Sequence, residues 1–307
     1  MTPRVHALAV DGTNLAHRVY HTHPERRGGP DGRHVGAVVG FARSLNVLVG
    51  RRAATWGVTH AVVAFDRDGR TFRHDVLPTY KAGRQGKPDL AEQMPLIEEL
   101  CRTLGLATVS ADGWEADDLL ASYTRAVTGR GGRVTIATSD KDMLQMVGED
   151  VECWSFDQNK TVTAASVERR FGVPPSRMVD YLSLVGDGTD AVPGVPGIGK
   201  AFAVPLIRAY GSLEDMIAAA RRSPAAVGGK RVAKALVEGG EGGLVARELV
   251  RLDRDARPDG PPSPTRLVRP DGDAMRDFMG HHGMADVAPT LARWCTPPTR
   301  GGAPGPG

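Results

Sequence analysis

Two short stretches, Trp114-Glu115-Ala116-Asp117-Asp118 and Thr138-Ser139-Asp140-Lys141-Asp142, each crowd carboxylates into a few residues within otherwise apolar surroundings. Unpaired carboxylates placed close together repel one another and resist burial. A cation removes that difficulty. With Asp11, Asp66, Asp187 and Asp190, the candidate set is Asp11, Asp66, Glu115, Asp117, Asp118, Asp140, Asp142, Asp187 and Asp190. Oxygen-only ligation without His or Cys points to a hard cation, Mg²⁺ or Mn²⁺. Mg²⁺ keeps much of its water, so this many acids implies two or more ions held partly through water. Two ions about 4 Å apart can activate a water and stabilise the leaving oxygen of a phosphodiester. Any one acid is equally well read as a helix cap; Glu115 and Asp118, three apart at a helix start, fit that reading too. The convergence of the set on one edge is what favours a metal centre.

Two further segments carry matching chemistry. Residues 186–200, GDGTDAVPGVPGIGK, combine Gly194, Gly197 and Gly199 with Pro193 and Pro196, so they form a tight hairpin between two helices. Backbone N–H groups at the start of the following helix make a phosphate cradle, with Lys200, Arg208, Lys230, Arg231 and Lys234 as counter-charge. A structural helix–turn–helix with incidental glycines is the plainer alternative. Residues 67–90 form a long basic insertion carrying Arg67, Arg70, Arg73, Lys81, Arg84 and Lys87 with Phe72 and Tyr80 interleaved. Basic residues with aromatics suit single-stranded DNA, and an insertion of this length in an α/β domain serves as a lid or binding element.

The elements that must position these residues follow from the apolar pattern. Runs at 5–10, 60–65 and 133–137 predict buried strands that lead into Asp11, Asp66 and Asp140. Helical patterns at 36–55, 91–104 and 114–128 alternate with them, which predicts a parallel sheet covered by helices. Ligands gather at the carboxyl ends of such strands. Beyond about residue 163 helices dominate, at 163–171, 174–185, 198–210, 212–221, 229–238 and 241–252. Residues 253–274 read as loop, and 296–307 as disordered by composition. The 307 residues, 41% hydrophobic with a net charge of +3, describe an ordinary soluble globular protein. No run is long enough for a membrane helix and the start is no secretory signal. Three widely spaced cysteines make no metal pair and no disulfide framework, as expected of reduced thiols in a cytoplasm. His17, His21 and His23 are read as surface or packing residues.

The motifs AVDGTN, FD…R…YK…R, EADD, TSDKD and GDGTDAVPGVPGIG, in this order, closely resemble the bacterial 5′-nuclease (flap endonuclease) family, over roughly residues 5–252. The family includes the 5′-nuclease domain of DNA polymerase I and free-standing 5′–3′ exonucleases. The resemblance implies a PIN-like α/β nuclease domain over 1–165, including an arch at 67–90. It further implies a helix–three-turn–helix duplex-binding region over 166–255 and an extension over 256–307. Its metal ligands fall on the nine acids above, its basic catalytic residues on Lys81 and Arg84, and a substrate contact on Tyr80. The basic insertion and the hairpin make Arg70, Arg73, Gly194, Gly197, Gly199 and Lys200 the candidate DNA-binding residues, and the resemblance implies a potassium site at residues 194–199. No polymerase segment follows, so the free-standing form is implied. Three places depart from the common pattern: Ala191-Val192-Pro193 replaces Asn-Ile-Pro, Lys200-Ala201-Phe202 brings the lysine one place early and drops a Thr, and Gln85-Gly86-Lys87 replaces Arg-Pro-Pro.

The function expected is hydrolysis of DNA by 5′–3′ exonuclease and 5′-flap endonuclease activity, in primer removal, replication or repair. The implied partners are DNA with 5′ ends, flaps or junctions, and RNA primers on DNA, engaged by a monomer without a membrane. A non-catalytic junction binder would be expected to have lost several acids. A toxin-type PIN ribonuclease would have no use for the glycine hairpin and would be about half as long.

Overall fold

The computed structural model describes residues 4–83, 86–258 and 265–295, without the side chain of Arg293. Arg84 and the tail expected to be disordered lie outside the described residues. Among those described, the strands are β1 (His6–Asp11), β2 (Arg27–Gly28), β3 (Arg33–His34), β4 (His60–Ala64), β5 (Ala107–Val109), β6 (Arg133–Ala137), β7 (Val151–Ser155) and β8 (Lys160–Val162). The chain forms two compact units. One takes residues up to Asn14, Ala64–Gly86 and Val109–Pro264; the other takes Leu15–Val63, Lys87–Thr108 and residues from Thr265 onward.

In the first unit β1, β6, β7 and β8 lie side by side. β1 and β6 pair in parallel from His6 opposite Arg133 to Val10 opposite Ala137, β7 continues in parallel, and β8 closes the edge antiparallel. Every residue of β1 is buried. That burial explains its unbroken apolar run, since a parallel strand covered on both faces has no polar side to show. The anticipated β1, β4 and β6 are present. β5, β7 and β8 were not anticipated: β5 and β8 have three residues each, and Glu152 and Cys153 interrupt the apolar pattern of β7.

The helical part of this unit includes Ala164–Phe171, Met178–Val185, Lys200–Ala209 and Leu213–Arg222, near the expected bounds. The two helices expected at 229–238 and 241–252 are instead one, Lys230–Val250. Gly239, Gly240, Gly242 and Gly243 do not break it, because neighbouring groups occupy the space their side chains would need. A Cβ at Gly243 would come 2.7 Å from Val195 and 2.8 Å from Leu213, and one at Gly239 would come 2.8 Å from Pro196. Gly239, Gly242 and Gly243 are the surface on which the 193–196 hairpin rests, and Gly240 meets Ile217.

In the second unit β4 runs beside β5, and β2 and β3 form a short antiparallel ribbon. The helix expected over 36–55 is interrupted by a π-helical stretch, Asn46–Arg52, between α-helical Gly36–Leu45 and Ala53–Trp56. Part of the expected 253–274 loop is ordered here: Arg266 bridges His60, and a helix spans Gly272–His281, capped by Asp271. Among the described residues no helix is long and apolar enough to cross a membrane.

Candidate active site

The acids at the sheet edge are held by short polar residues beside them. Asp11 ends β1, is 4% exposed, and accepts hydrogen bonds from the Asn14 N–H (2.8 Å) and the Thr138 hydroxyl (2.8 Å). Thr138 Oγ1 in turn accepts the Asp140 N–H at 3.0 Å, and Asp140 Oδ1 accepts the Asp142 N–H at 2.8 Å. The Asp66 N–H donates to Thr13 Oγ1 at 2.8 Å, while Asp66 Oδ1 accepts the Ala116 N–H at 2.6 Å. Asp66 therefore caps the helix Ala116–Thr128, whose first turn carries Asp117 and Asp118. Thr13 and Thr138 orient these acids and were missed from sequence. Their only signal was their place inside AVDGTN and TSDKD.

The electrostatics divide the acids into two overlapping groups. Burial, then the nearby Asp66 and Asp140 charges, push the Asp11 carboxyl up to about 7 against the pull of its hydrogen bonds. Asp117 is driven well above the usual carboxylate range by burial and by Asp140, Asp11 and Asp66. Asp142 is raised by burial and by Asp140, Asp190 and Asp187, and Asp140 by burial and by Asp190 and Asp187. Asp140 thus links an Asp11–Asp66–Asp117 group to an Asp142–Asp187–Asp190 group. Burial alone would raise Asp187 too, but Lys141 at 2.8 Å and the Thr189 N–H at 3.0 Å outweigh it and hold it below the usual range. Lys141 was not singled out from sequence, although it stands inside TSDKD.

Two buried carboxylate oxygens, Asp117 Oδ1 and Asp142 Oδ1, have no hydrogen-bond partner among the described residues. A carboxylate oxygen left this way is costly, and a cation answers it. The donor set, all oxygen, fits a hard divalent ion. Among the described residues, no three His, Cys, Asp or Glu side chains close into a ready ligand set. The fit is therefore to ions that keep water between themselves and several of the acids.

Glu115 and Asp118 belong to a different arrangement. Arg73, expected to face DNA, is 1% exposed. Its guanidinium makes a two-pronged pair with Asp118 at 2.6 and 2.8 Å, and Nε donates to the Leu249 carbonyl at 2.7 Å. Asp118, wholly buried, also accepts the N–H groups of Glu115 (3.2 Å) and Asp253 (2.9 Å). Its oxygens are committed to protein donors. Glu115 accepts from Lys81 Nζ at 2.8 Å and from the Tyr80 hydroxyl at 3.2 Å. Tyr80, expected to contact substrate, is 5% exposed. Both side chains lie inside, where the Arg73 guanidinium and the Tyr80 hydroxyl answer acids that would otherwise be buried alone.

Lys81 is placed with unusual definition. Its backbone adopts φ 56°, a left-handed conformation few side chains favour, and its N–H donates to the Asp190 carbonyl at 3.2 Å. Arg70 is exposed and paired with Asp75 at 3.0 Å.

In the hairpin, Asp187 and Val192 exchange backbone hydrogen bonds of 3.0 and 2.8 Å. Gly194 has φ 61°, and a Cβ there would lie 2.5 Å from the Gly186 nitrogen, so only glycine fits. Gly197 has φ 86° in more open space, and Gly199 is the N-cap of Lys200–Ala209 without a side-chain cap. Ala191 holds φ 58°, a conformation asparagine tolerates better than alanine. Lys200 Nζ turns back to the Arg170 carbonyl. Phe202 lies under the Arg231 guanidinium at 5.0 Å.

Residues 6–172 match the model of the 5′-3′ exonuclease N-terminal resolvase-like domain, and residues 173–273 match that of the 5′-3′ exonuclease C-terminal SAM fold. The chain belongs to the 5′-3′ exonuclease family. The flap endonuclease Xni of Serratia proteamaculans is 36% identical over 215 residues, 69% of this chain and 80% of the relative. DNA polymerase I of Rhizobium leguminosarum is 38% identical over 216 residues, 69% of this chain but 21% of that protein. The thermostable DNA polymerase I of Thermus aquaticus is 37% identical over 219 residues, 25% of its length. The chain thus spans about a quarter of the polymerase relatives. Among solved structures, T5 5′-exonuclease with bound divalent metal ions (zinc) matches with a TM-score of 0.67 at 22% identity, covering 94% of this chain and 98% of that one. The catalytic core of Rad2 with DNA substrate matches with a TM-score of 0.63 at 17% identity, covering 94% and 91%. At these identities the two structures speak for a shared fold.

Proposed function

We propose that this chain hydrolyses DNA as a divalent-metal-dependent 5′–3′ exonuclease and 5′-flap endonuclease, in primer removal, replication or repair. The observation that carries this reading is the pair of buried, unpartnered oxygens on Asp117 and Asp142 within two linked carboxylate groups. Asp11, Asp66, Asp117 and Asp140 would hold one Mg²⁺ or Mn²⁺, and Asp140, Asp142, Asp187 and Asp190 would hold another, several of them through water. When bound, the ions supply Lewis-acid activation of a water and stabilisation of the leaving oxygen.

The chain's own residues do the rest. Backbone N–H groups around Gly197 and Gly199 take a duplex phosphate at the start of Lys200–Ala209. Exposed Arg70 draws the strand toward the acids. Lys81 leaves Glu115 and donates its ammonium to a non-bridging oxygen of the scissile phosphate, where developing charge rewards it most. Arg84, near it in sequence, adds a second donor. Arg73 and Tyr80 keep Glu115 and Asp118 oriented while Lys81 moves. Carbonyls of 194–199 offer a potassium site. We assign the nuclease role to 1–165 and duplex binding to 166–255, in a cytoplasmic monomer that also accepts RNA primers on DNA.

The test is cleavage of an end-labelled 5′-flap duplex against single-stranded RNA, with Mg²⁺ and with chelator. Cutting of the flap that Mg²⁺ supports and chelator stops is expected. Flap DNA that is bound but never cut would make the chain a junction binder instead.

A further inference from the structure

The helix Ala116–Thr128 carries acids in its first turn, but its later turns face a different environment. There a cavity of about 710 Å³ lies between the helix and residues 254–258. That segment is pinned to the helix by the Ser122 hydroxyl, which donates to the Ala256 carbonyl at 2.7 Å, and by an Arg125–Asp255 ion pair. Its lining starts at Leu119, next to Asp118, and reaches Arg125, about 10 Å along the helix beyond Asp118.

Its lining is chemically lopsided. Arg125, Arg130, Arg254 and Arg257 all border it, against one carboxylate, Asp255, which Arg125 already engages. No carboxylate answers Arg130, Arg254 or Arg257 among the described residues. Val109, Leu119 and Ala126 make an apolar wall. Tyr123 also lines the cavity, is 9% exposed, and its hydroxyl is buried without a hydrogen-bond partner among the described residues. The part of Tyr123 that borders the cavity is therefore its ring, and the hydroxyl lies within the wall.

We infer that this cavity is a binding site for a phosphorylated nucleoside. Guanidinium groups match phosphate geometry and stack on flat rings. The apolar wall, with the Tyr123 ring, fits the face of a base. The volume falls in the range of pockets that enclose small ligands, about 300–1,000 Å³, well beyond what a bare phosphate fills. The nucleoside phosphate would be either a free nucleotide or one residue of a DNA strand. Only the second source rests on the nuclease reading.

Equilibrium dialysis of the full chain in chelator, with dAMP as the probe, tests this. Saturable binding is expected, weakened tenfold or more by the double substitution Arg130→Gln, Arg257→Gln, since each lost charge-assisted bond is substantial. Lys81→Ala should leave it unchanged. Competition by a 5′-phosphorylated hexathymidylate stronger than by dAMP itself identifies the strand as the source, and weaker competition identifies the free nucleotide. The proposal is overturned if dAMP shows no saturable binding, or if inorganic phosphate displaces it with equal affinity. It also fails if Lys81→Ala abolishes binding, or if the double arginine substitution leaves it at the parental level.

Discussion

At the scale of single residues, the acids combine two demands that pull apart: burial deep enough to shape a site, and negative charge enough to hold cations. In chelator that conflict should appear as a pH dependence of stability. The Asp11 carboxyl sits at about 7 in the folded chain against 3.8 for an ordinary aspartate, and Asp117, Asp140 and Asp142 are raised as well. A raised carboxyl binds more protons folded than unfolded, so stability is greatest at low pH and falls as pH climbs from about 4 through 7. Asp187, lowered by Lys141, acts with the opposite sign, as do His23, His60 and His282, lowered by burial, but the four raised acids outweigh them. The melting temperature in chelator should therefore rise as pH is lowered from 8 to 6, and Mg²⁺ at pH 8 should raise it too. A melting temperature indifferent to both would show that the acids are not in conflict. Arg73 poses a separate question at this scale. Arg73→Met strands the wholly buried Asp118 without its partner, which should cost about 3–5 kcal/mol in urea unfolding. Adding Asp118→Leu should recover most of the loss; no recovery would mean that the guanidinium's bonds to the Leu249 and Arg251 carbonyls matter more.

At the scale of elements, the glycine run in Lys230–Val250 shows why local patterns mislead. Four glycines within five residues read as a break, because glycine weakens helices by roughly 0.5–1 kcal/mol each relative to alanine. Here they admit the Val195–Pro196 hairpin and Leu213 against the helix backbone. Gly243→Ala, stabilising in an ordinary helix, should instead destabilise by about 1–3 kcal/mol, with Val195 and Leu213 forced aside. Denaturant titration checks it, and a gain in stability would show that the hairpin does not press on the helix. The same logic separates what was legible from what was not. β1 was legible because complete burial leaves a continuous apolar signature, and β6 because only its first residue, Arg133, is exposed. β7 and β8 were not, since an edge pair with Glu152, Lys160 and Thr161 carries little periodicity. Arg73 looked like every other basic residue of the 67–90 segment; only its bidentate contact with Asp118 reveals an interior cation.

At the scale of the whole molecule, residues from five sequence regions, around 11, 66, 115–118, 138–142 and 187–190, meet within one compact unit. Their types were readable from the chain, whereas their division of labour was not. Asp117 and Asp142 present unpartnered buried oxygens, while Glu115 and Asp118 are spent on Lys81, Tyr80 and Arg73. The claim that matters most is that the first set cuts DNA through a bound cation. Single-turnover cleavage of a 5′-flap duplex at saturating enzyme and Mg²⁺, comparing Asp117→Asn with the parent, measures it most directly. The rate is expected to fall by about 10²-fold or more, the scale of losing one group that stabilises transition-state charge. Flap affinity in chelator should hold or tighten, because a negative charge has been removed. A parental cleavage rate for Asp117→Asn, with the fold and affinity intact, would contradict the assignment of these carboxylates as the catalytic metal site.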